Sequence, residues 1–294
     1  MTAPILSVVI PTWNRAHVVC EAIESAISQR VSATGADRRR DSLVEVIVID
    51  DGSTDDTAGI VRKNFGSRVH FVRTPSRRGP GAARNKGVRI ATGELLAFLD
   101  SDDVWLPGKL DAELSVLKGF PGAEAVVSDS VSVLEGVADE RSRFDLNGLR
   151  DATTGQPCWL HECSWLWTNL QNNMATCSIT LDSKGVGRFN GPLFAEDLIY
   201  CEDWEFELRV HSMCKVVVLP EVLARVRRFD DGTRPGRACP GKPLTAEQMV
   251  CLLRDRLKVM ERADWASGLA ADLAAELDRS RLDTVRELEH ILRG

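Results

Sequence analysis

The chain has 294 residues, 44% of them hydrophobic and 27% charged, which fits a globular protein and excludes disorder as its main state. Lys plus Arg number 37 against 43 Asp plus Glu, a formal net charge of −6, and this acidic balance argues against nucleic acid as the principal partner. The eight cysteines form no C-x-x-C pair and sit in apolar runs such as Val18-Val19-Cys20, so they read as reduced thiols rather than a disulfide framework.

The first 130 residues repeat one rhythm. Short β-branched runs at Leu6–Ile10, Val44–Ile49, Val69–Val72, Leu95–Leu99 and Ala125–Ser128 read as strands. Helical spacing fills the gaps, at Val18–Gln29, Thr54–Asn64, Gly81–Ala91 and Leu106–Lys118. Strands that alternate with helices need crossover connections, which predicts an α/β fold with a mainly parallel sheet flanked by helices. Residues 131–200 are less regular. Strand signals return at Ser178–Leu181, Lys215–Leu219 and Val222–Val226, with a helix at Glu202–His211. The Gly-, Pro- and Arg-rich stretch Arg227–Pro243 reads as a loop. Thr245-x-x-Gln248 then has the form of a capping box, followed by apolar stripes at Met249–Met260 and Leu269–Leu292. The expected organisation is a nucleotide-binding α/β part over 1–130, an acceptor-binding and base-bearing part of the same domain over 131–243, and a helical extension over 244–294. The two apolar stripes suggest packing on the core or in a homodimer. The N-terminus lacks the layout of a secretory signal, and no apolar run approaches the ~20 residues of a membrane span. A soluble, cytoplasmic protein is the expectation.

Chemistry in such sheets gathers at the carboxyl ends of the strands. The first strand runs into Pro11-Thr12-Trp13-Asn14-Arg15, the second into Asp50-Asp51-Gly52-Ser53 and the fourth into Asp100-Ser101-Asp102-Asp103. Five carboxylates at neighbouring strand ends repel one another unless positive charge lies between them, and a divalent cation is the economical source. In an extended segment Asp100 and Asp102 face the same side. Ser53 or Thr54 is expected to cap the following helix. The five histidines show no metal-ligand spacing. Arg38-Arg39-Arg40 reads as a solvated loop. Trp159, Trp165 and Trp167 suit either a core or a flat platform for an acceptor.

These residues, in this order, resemble inverting glycosyltransferases of family 2. The resemblance rests on Ser7–Arg15, Val48–Asp55, Gly81–Gly87, Ala91–Glu94 and Phe98–Asp103, and it returns at Tyr200-Cys201-Glu202-Asp203-Trp204-Glu205. It implies a GT-A fold, a nucleotide-sugar donor (a UDP-sugar being favoured) and Mn²⁺ or Mg²⁺ as cofactor. By the same resemblance Pro11, Thr12 and Trp13 lie beside the nucleobase, and Asp51 with Asp50 accepts the N3–H of uracil. Arg84 and Asn85 approach the donor. Asp100 and Asp102 bind metal, with Asp100 also near the ribose and Asp103 assisting. Glu202-Asp203 matches the acidic motif whose Asp is the general base. Glu196-Asp197 is a nearby acidic pair that spacing alone does not exclude. The acceptor is expected to be a small molecule, a carrier-bound intermediate or a glycan. Two other readings are a sugar-1-phosphate nucleotidyltransferase and a non-catalytic nucleotide-sugar-binding relative. The first expects a Gly-rich, basic loop after strand one, where this chain has Pro11-Thr12-Trp13-Asn14.

Overall fold

A computed structural model of the chain describes residues 4–30, 44–134, 136–146, 148–160, 175–228, 245–262 and 271–293. Trp165, Trp167, Arg38–Arg40, Leu269 and residues 229–243 of the expected loop lie outside the described residues.

The chain opens as strand β1 (Leu6–Thr12), helix α1 (Val19–Ile27), β2 (Val44–Asp50), α2 (Thr57–Phe65), β3 (His70–Arg73), α3 (Pro80–Val88) and β4 (Leu95–Phe98). Then come β5 (Val104–Trp105), α4 (Lys109–Gly119), β6 (Ala125–Leu134), β7 (Val137–Ala138), α5 (Arg143–Leu146), α6 (Leu149–Thr153) and β8 (Cys158–Trp159). The remainder is β9 (Ile179–Asp182), α7 (Ser183–Gly187), α8 (Glu202–Met213), β10 (Val216–Arg228), α9 (Ala246–Glu261) and α10 (Ala271–Arg293). One sheet runs in the order β3-β2-β1-β4-β9-β6-β10-β5, with β7 on β6 and β8 on β10.

The first four strands pair in parallel, as the alternation predicts. The sheet as a whole is mixed, because β9 inserts antiparallel between β4 and β6. The two expected strands at 215–226 are one strand, β10, whose register on β6 shifts between Leu219 and Ala224. Pro220 lies in that irregularity, and its missing N–H accounts for the break in the ladder.

Side-chain alternation explains why β1, β2 and β4 are continuous apolar runs. Val9, Ile47, Ile49 and Phe98 face one core with Phe194, Phe206 and Val210. Val8, Ile10, Val46, Val48 and Leu99 face the other with Val19, Ile23 and Leu110. Both faces are covered, so polar residues keep to the strand ends, as where Ser7 Oγ donates to Glu45 Oε2 at 2.5 Å. Helix α3 lies so close to β1 that a Cβ on Gly87 would meet Val9 Cγ1 at 2.3 Å. That contact sets the helix on the sheet.

Neither Ser53 nor Thr54 caps α2, which begins at Thr57. Ser53 Oγ instead accepts from Asn14 N at 2.9 Å, and Asn14 Oδ1 accepts from Thr54 N at 2.8 Å. The turn after β2 is therefore latched to the loop after β1. The capping box at Thr245 is present in both directions, with Gln248 N donating to Thr245 Oγ1 at 3.2 Å and Thr245 N donating to Gln248 Oε1 at 3.0 Å. Trp159 packs edge-on against Phe120 with ring centroids 5.5 Å apart.

Candidate active site

The register places Thr12 beside Asp50 at the ends of β1 and β2, and β4 ends two residues before Asp100. The three polar strand ends thus share one edge of the sheet. Asp50 is fully buried. Its Oδ1 accepts from Ser53 N at 2.8 Å, and its Oδ2 is 3.4 Å from Arg73 Nε. Gly52 follows with φ +76°, and a Cβ there would meet the backbone at Arg77 N and Ser76 C at 3.2 Å. Glycine is required by both the dihedral and the close approach.

Asp51 holds the loop over residues 74–79. Its Oδ1 accepts from Thr74 Oγ1 (3.2 Å) and Arg78 N (3.0 Å), and its Oδ2 from Gly79 N (2.7 Å). The same loop carries Arg77, whose guanidinium lies over the Trp13 indole at 3.7 Å, within cation–π distance. Thr12 Oγ1 is buried with no hydrogen-bond partner among the described residues.

Asp100, Asp102 and Asp103 bring one carboxylate oxygen each to within 4.8 Å of one another. The last two are buried. Hard oxygen donors in this number suit Mg²⁺ or Mn²⁺, so the residues fit such an ion. The repulsion argument for a cation needs correction, however. Arginines already balance these charges: Arg15 Nη2 is 3.3 Å from Asp102 Oδ2, and Arg84 Nη2 is 2.6 Å from Asp100 Oδ1. Arg227, at the end of β10, donates from its backbone N to Asp103 Oδ1 at 2.9 Å and from Nε to Asp102 O at 2.6 Å.

Arg84 also reaches Glu202 Oε1 at 3.1 Å through Nη1. Burial opposes its charge, but Asp100 and Glu202 outweigh that and raise its pKa above the ordinary value. The ring of Phe194 lies 5.0 Å beneath its guanidinium. Asn85 turns elsewhere: it donates to Phe194 O at 2.8 Å and accepts from Phe194 N at 3.0 Å. The Arg84-Asn85 pair therefore clamps three segments together, a role that its position in a Gly-rich helix does not signal.

Glu202 and Asp203 open α8, where the positive end of the helix favours carboxylates. The Glu202 carboxyl is pushed up to about 7 by burial first and by the charge of Asp203 second, against Arg84. Asp203 Oδ1 accepts from Trp204 N at 2.8 Å. Glu196 is taken up by Arg78 at 2.8 Å and by Asn85 at 3.1 Å, and Asp197 pairs with Arg262 of α9. Glu202–Asp203 thus meets Asp100 through Arg84, while Glu196–Asp197 faces other partners.

Residues 7–142 match the family model described as Glycosyl transferase family 2. Over 114 residues the chain is 32% identical to the Escherichia coli protein WfaP, a UDP-Glc:alpha-D-GlcNAc-diphosphoundecaprenol beta-1,3-glucosyltransferase, covering 39% of this chain and 41% of that one. It is 37% identical over 110 residues to the succinoglycan biosynthesis protein ExoU of Rhizobium meliloti, covering 37% and 29%. The matches span less than half the length of these relatives. Among solved structures, the mannosyltransferase PcManGT from Pyrobaculum calidifontis, in complex with GDP-Man and Mn²⁺, aligns with a TM-score of 0.64 at 19% identity, covering 100% of this chain and 74% of that one. The S. aureus protein TarS (residues 1–349, in complex with UDP) aligns at 0.55 and 19% identity, covering 86% and 65%. Residues 7–142 are thus similar to glycosyltransferase family 2, and the fold is of the GT-A type.

Proposed function

We propose that the protein is an inverting, metal-assisted glycosyltransferase that moves a sugar from a nucleotide diphosphate, a UDP-sugar, to an acceptor hydroxyl. The observation that carries this reading is the Arg84 guanidinium, which joins Asp100 to Glu202, far apart in the chain, and so brings the D-x-D loop to the start of α8. Asp100 and Asp102, with Asp103 beside them, would hold Mn²⁺ or Mg²⁺, and the ion would neutralise charge growing on the leaving diphosphate. Pro11, Thr12, Trp13 and Asp51 line the nucleobase side, where the buried Thr12 hydroxyl offers an open hydrogen bond. Asp203 takes the proton of the acceptor hydroxyl as its oxygen bonds to the anomeric carbon. The bond from that carbon to the diphosphate oxygen breaks, and its electron pair leaves with the diphosphate. Attack opposite the leaving group inverts the anomeric centre.

The activity of the relative WfaP supports UDP-glucose as the first donor and a saccharide on a lipid diphosphate as the first acceptor class. The neighbour bound to GDP-Man puts GDP-mannose in the same panel. The test is donor hydrolysis and transfer by the full chain with Mn²⁺, using UDP-glucose, UDP-GlcNAc, UDP-galactose and GDP-mannose. Asp102→Ala should abolish turnover and the Mn²⁺-dependent part of UDP affinity. Asp203→Asn should lower transfer by ~10²–10⁴ with donor affinity within a few-fold. Full activity in excess EDTA overturns the metal. A product whose anomeric proton coupling shows retention overturns the single displacement.

A further inference from the structure

We propose that Asp255, on α9, is a positioning residue for Asp203, fixing the turn that delivers α8 to the site. The inference rests on the reading of Asp203 as the base. Just before α8 the chain passes through Cys201, whose φ is +65°. A residue with a Cβ adopts this left-handed conformation when its surroundings impose it. The imposing contacts come from α9. Asp255 is 4% exposed, and its Oδ2 accepts from both Ile199 N (2.7 Å) and Tyr200 N (2.8 Å). Its Oδ1 accepts from Lys258 Nζ at 3.2 Å, and the same ammonium donates to Asp197 O at 3.3 Å. Arg262 closes the set by pairing with Asp197. Beneath these bonds Leu198, Trp204 and Leu208 pack on Val259 and Met260.

On its other side the same segment is held by α3, through Asn85 on Phe194 and Arg84 on Glu202. Residues 194–203 are therefore tied from two directions before Asp203 is reached. The family-matched residues end at 142, so the tie from α9 comes from outside them. A misplacement of roughly 1 Å costs on the order of 10²-fold in rate. The groups assigned to the donor sit on β1, β2 and the loops that follow β1, β2 and β4, not on α9. Loss of the tie should therefore lower turnover and spare nucleotide binding.

The test compares full-length Asp255→Ala, Asp255→Asn and Asp203→Asn. Three quantities are read: amide hydrogen exchange at Ile199 and Tyr200, UDP affinity with Mn²⁺, and kcat for hydrolysis of the panel donor turned over fastest. Asp255→Ala should speed exchange at both amides, keep UDP affinity within about three-fold and lower kcat by roughly 10–100-fold. Asp255→Asn keeps an oxygen acceptor and should recover most of the loss. Unchanged exchange, or UDP affinity that falls in step with kcat, overturns the inference. So does a parental kcat in Asp255→Ala where Asp203→Asn is inactive. Parental turnover by Asp203→Asn overturns instead the assignment of the base. If Asp255→Ala lacks the parental circular dichroism, Lys258→Met combined with Arg262→Ala must show the same separation of kcat from UDP affinity, and a variant without it refutes the proposal.

Discussion

Glu202 and His211 stand on one helix and carry opposite pH signatures. The Glu202 carboxyl is raised from 4.5 to about 7 by burial and then by Asp203, so the folded chain binds a proton between those pH values that the unfolded chain releases. Its contribution to stability falls as pH rises through that window. His211 is lowered from 6.5 to about 3 by burial alone, so unfolding takes up a proton below pH 6.5 and stability falls as pH drops. Thermal melts of Glu202→Gln should lose the first slope and gain Tm at pH 8 relative to pH 5. Melts of His211→Gln should lose the second slope. Parental pH profiles in both variants would refute the assignment. Asp51 makes a different case. Its carboxylate was expected to face uracil, and it also anchors Thr74, Arg78 and Gly79. Asp51→Ala should therefore weaken UDP binding and cost about 1–3 kcal/mol of stability, because the loop amides lose their acceptor. Chemical denaturation together with UDP titration reads both; a variant with parental stability would show that the loop does not depend on this carboxylate.

Among the elements, α8 is joined to the D-x-D strand by aromatic packing as well as by Arg84. Phe98, the last residue of β4, meets Phe194 edge-on at 4.9 Å and Phe206 at 5.5 Å, and Phe194 stacks on Phe206 at 4.3 Å. Offset and edge contacts of this kind add to the burial of the rings themselves. Phe206→Ala should cost ~3–5 kcal/mol, as large-to-small core changes of this size do. It should also reduce turnover more than nucleotide affinity, since the cavity opens under Glu202–Asp203 and leaves β1 and β2 intact. A urea melt with a UDP titration checks both parts; equal loss of turnover and affinity would place the cavity's effect on the whole sheet.

For the whole molecule, the C-terminal helices divide the work. Helix α9 packs on the segment before α8, and α10 lies along α9. Leu282 and Leu292 on α10 stay exposed. Deleting residues 264–294 keeps every α9 contact to Asp197, Ile199 and Tyr200 but uncovers the α9 face beneath α10. Solubility or Tm should fall while UDP affinity stays within about two-fold, read by light scattering, melting and calorimetry. If α10 also pairs with a second copy, the mass in solution should fall to that of a single chain. A truncated chain with parental solubility, Tm and mass would refute the role assigned to α10.

Local rules were sufficient for β1 to β4 and their polar ends. Continuous β-branched runs at Leu6–Ile10 and Val44–Ile49 exist because both faces of β1 and β2 are covered, and a two-sided burial leaves that signature in the residues themselves. The D-D-G-S motif begins at the last residue of β2 and the D-x-D motif lies just past β4, where the two-sided burial ends. The capping box at Thr245 is equally local, being complete within four residues. Nothing local, however, pairs Arg84 with Glu202 or Asp255 with Ile199, because these partners lie 118 and 56 residues apart. Nor does a strand pattern say that β9 will enter antiparallel between β4 and β6. The arginines at the acidic strand ends are hidden from the motifs on the same ground. Arg15, Arg73, Arg84 and Arg227 come from four separate stretches, and only the closed fold carries them to the acidic strand ends. Periodicity and motif spacing encode what a residue needs from its immediate neighbours; which distant group meets that need is decided by packing once the chain has closed.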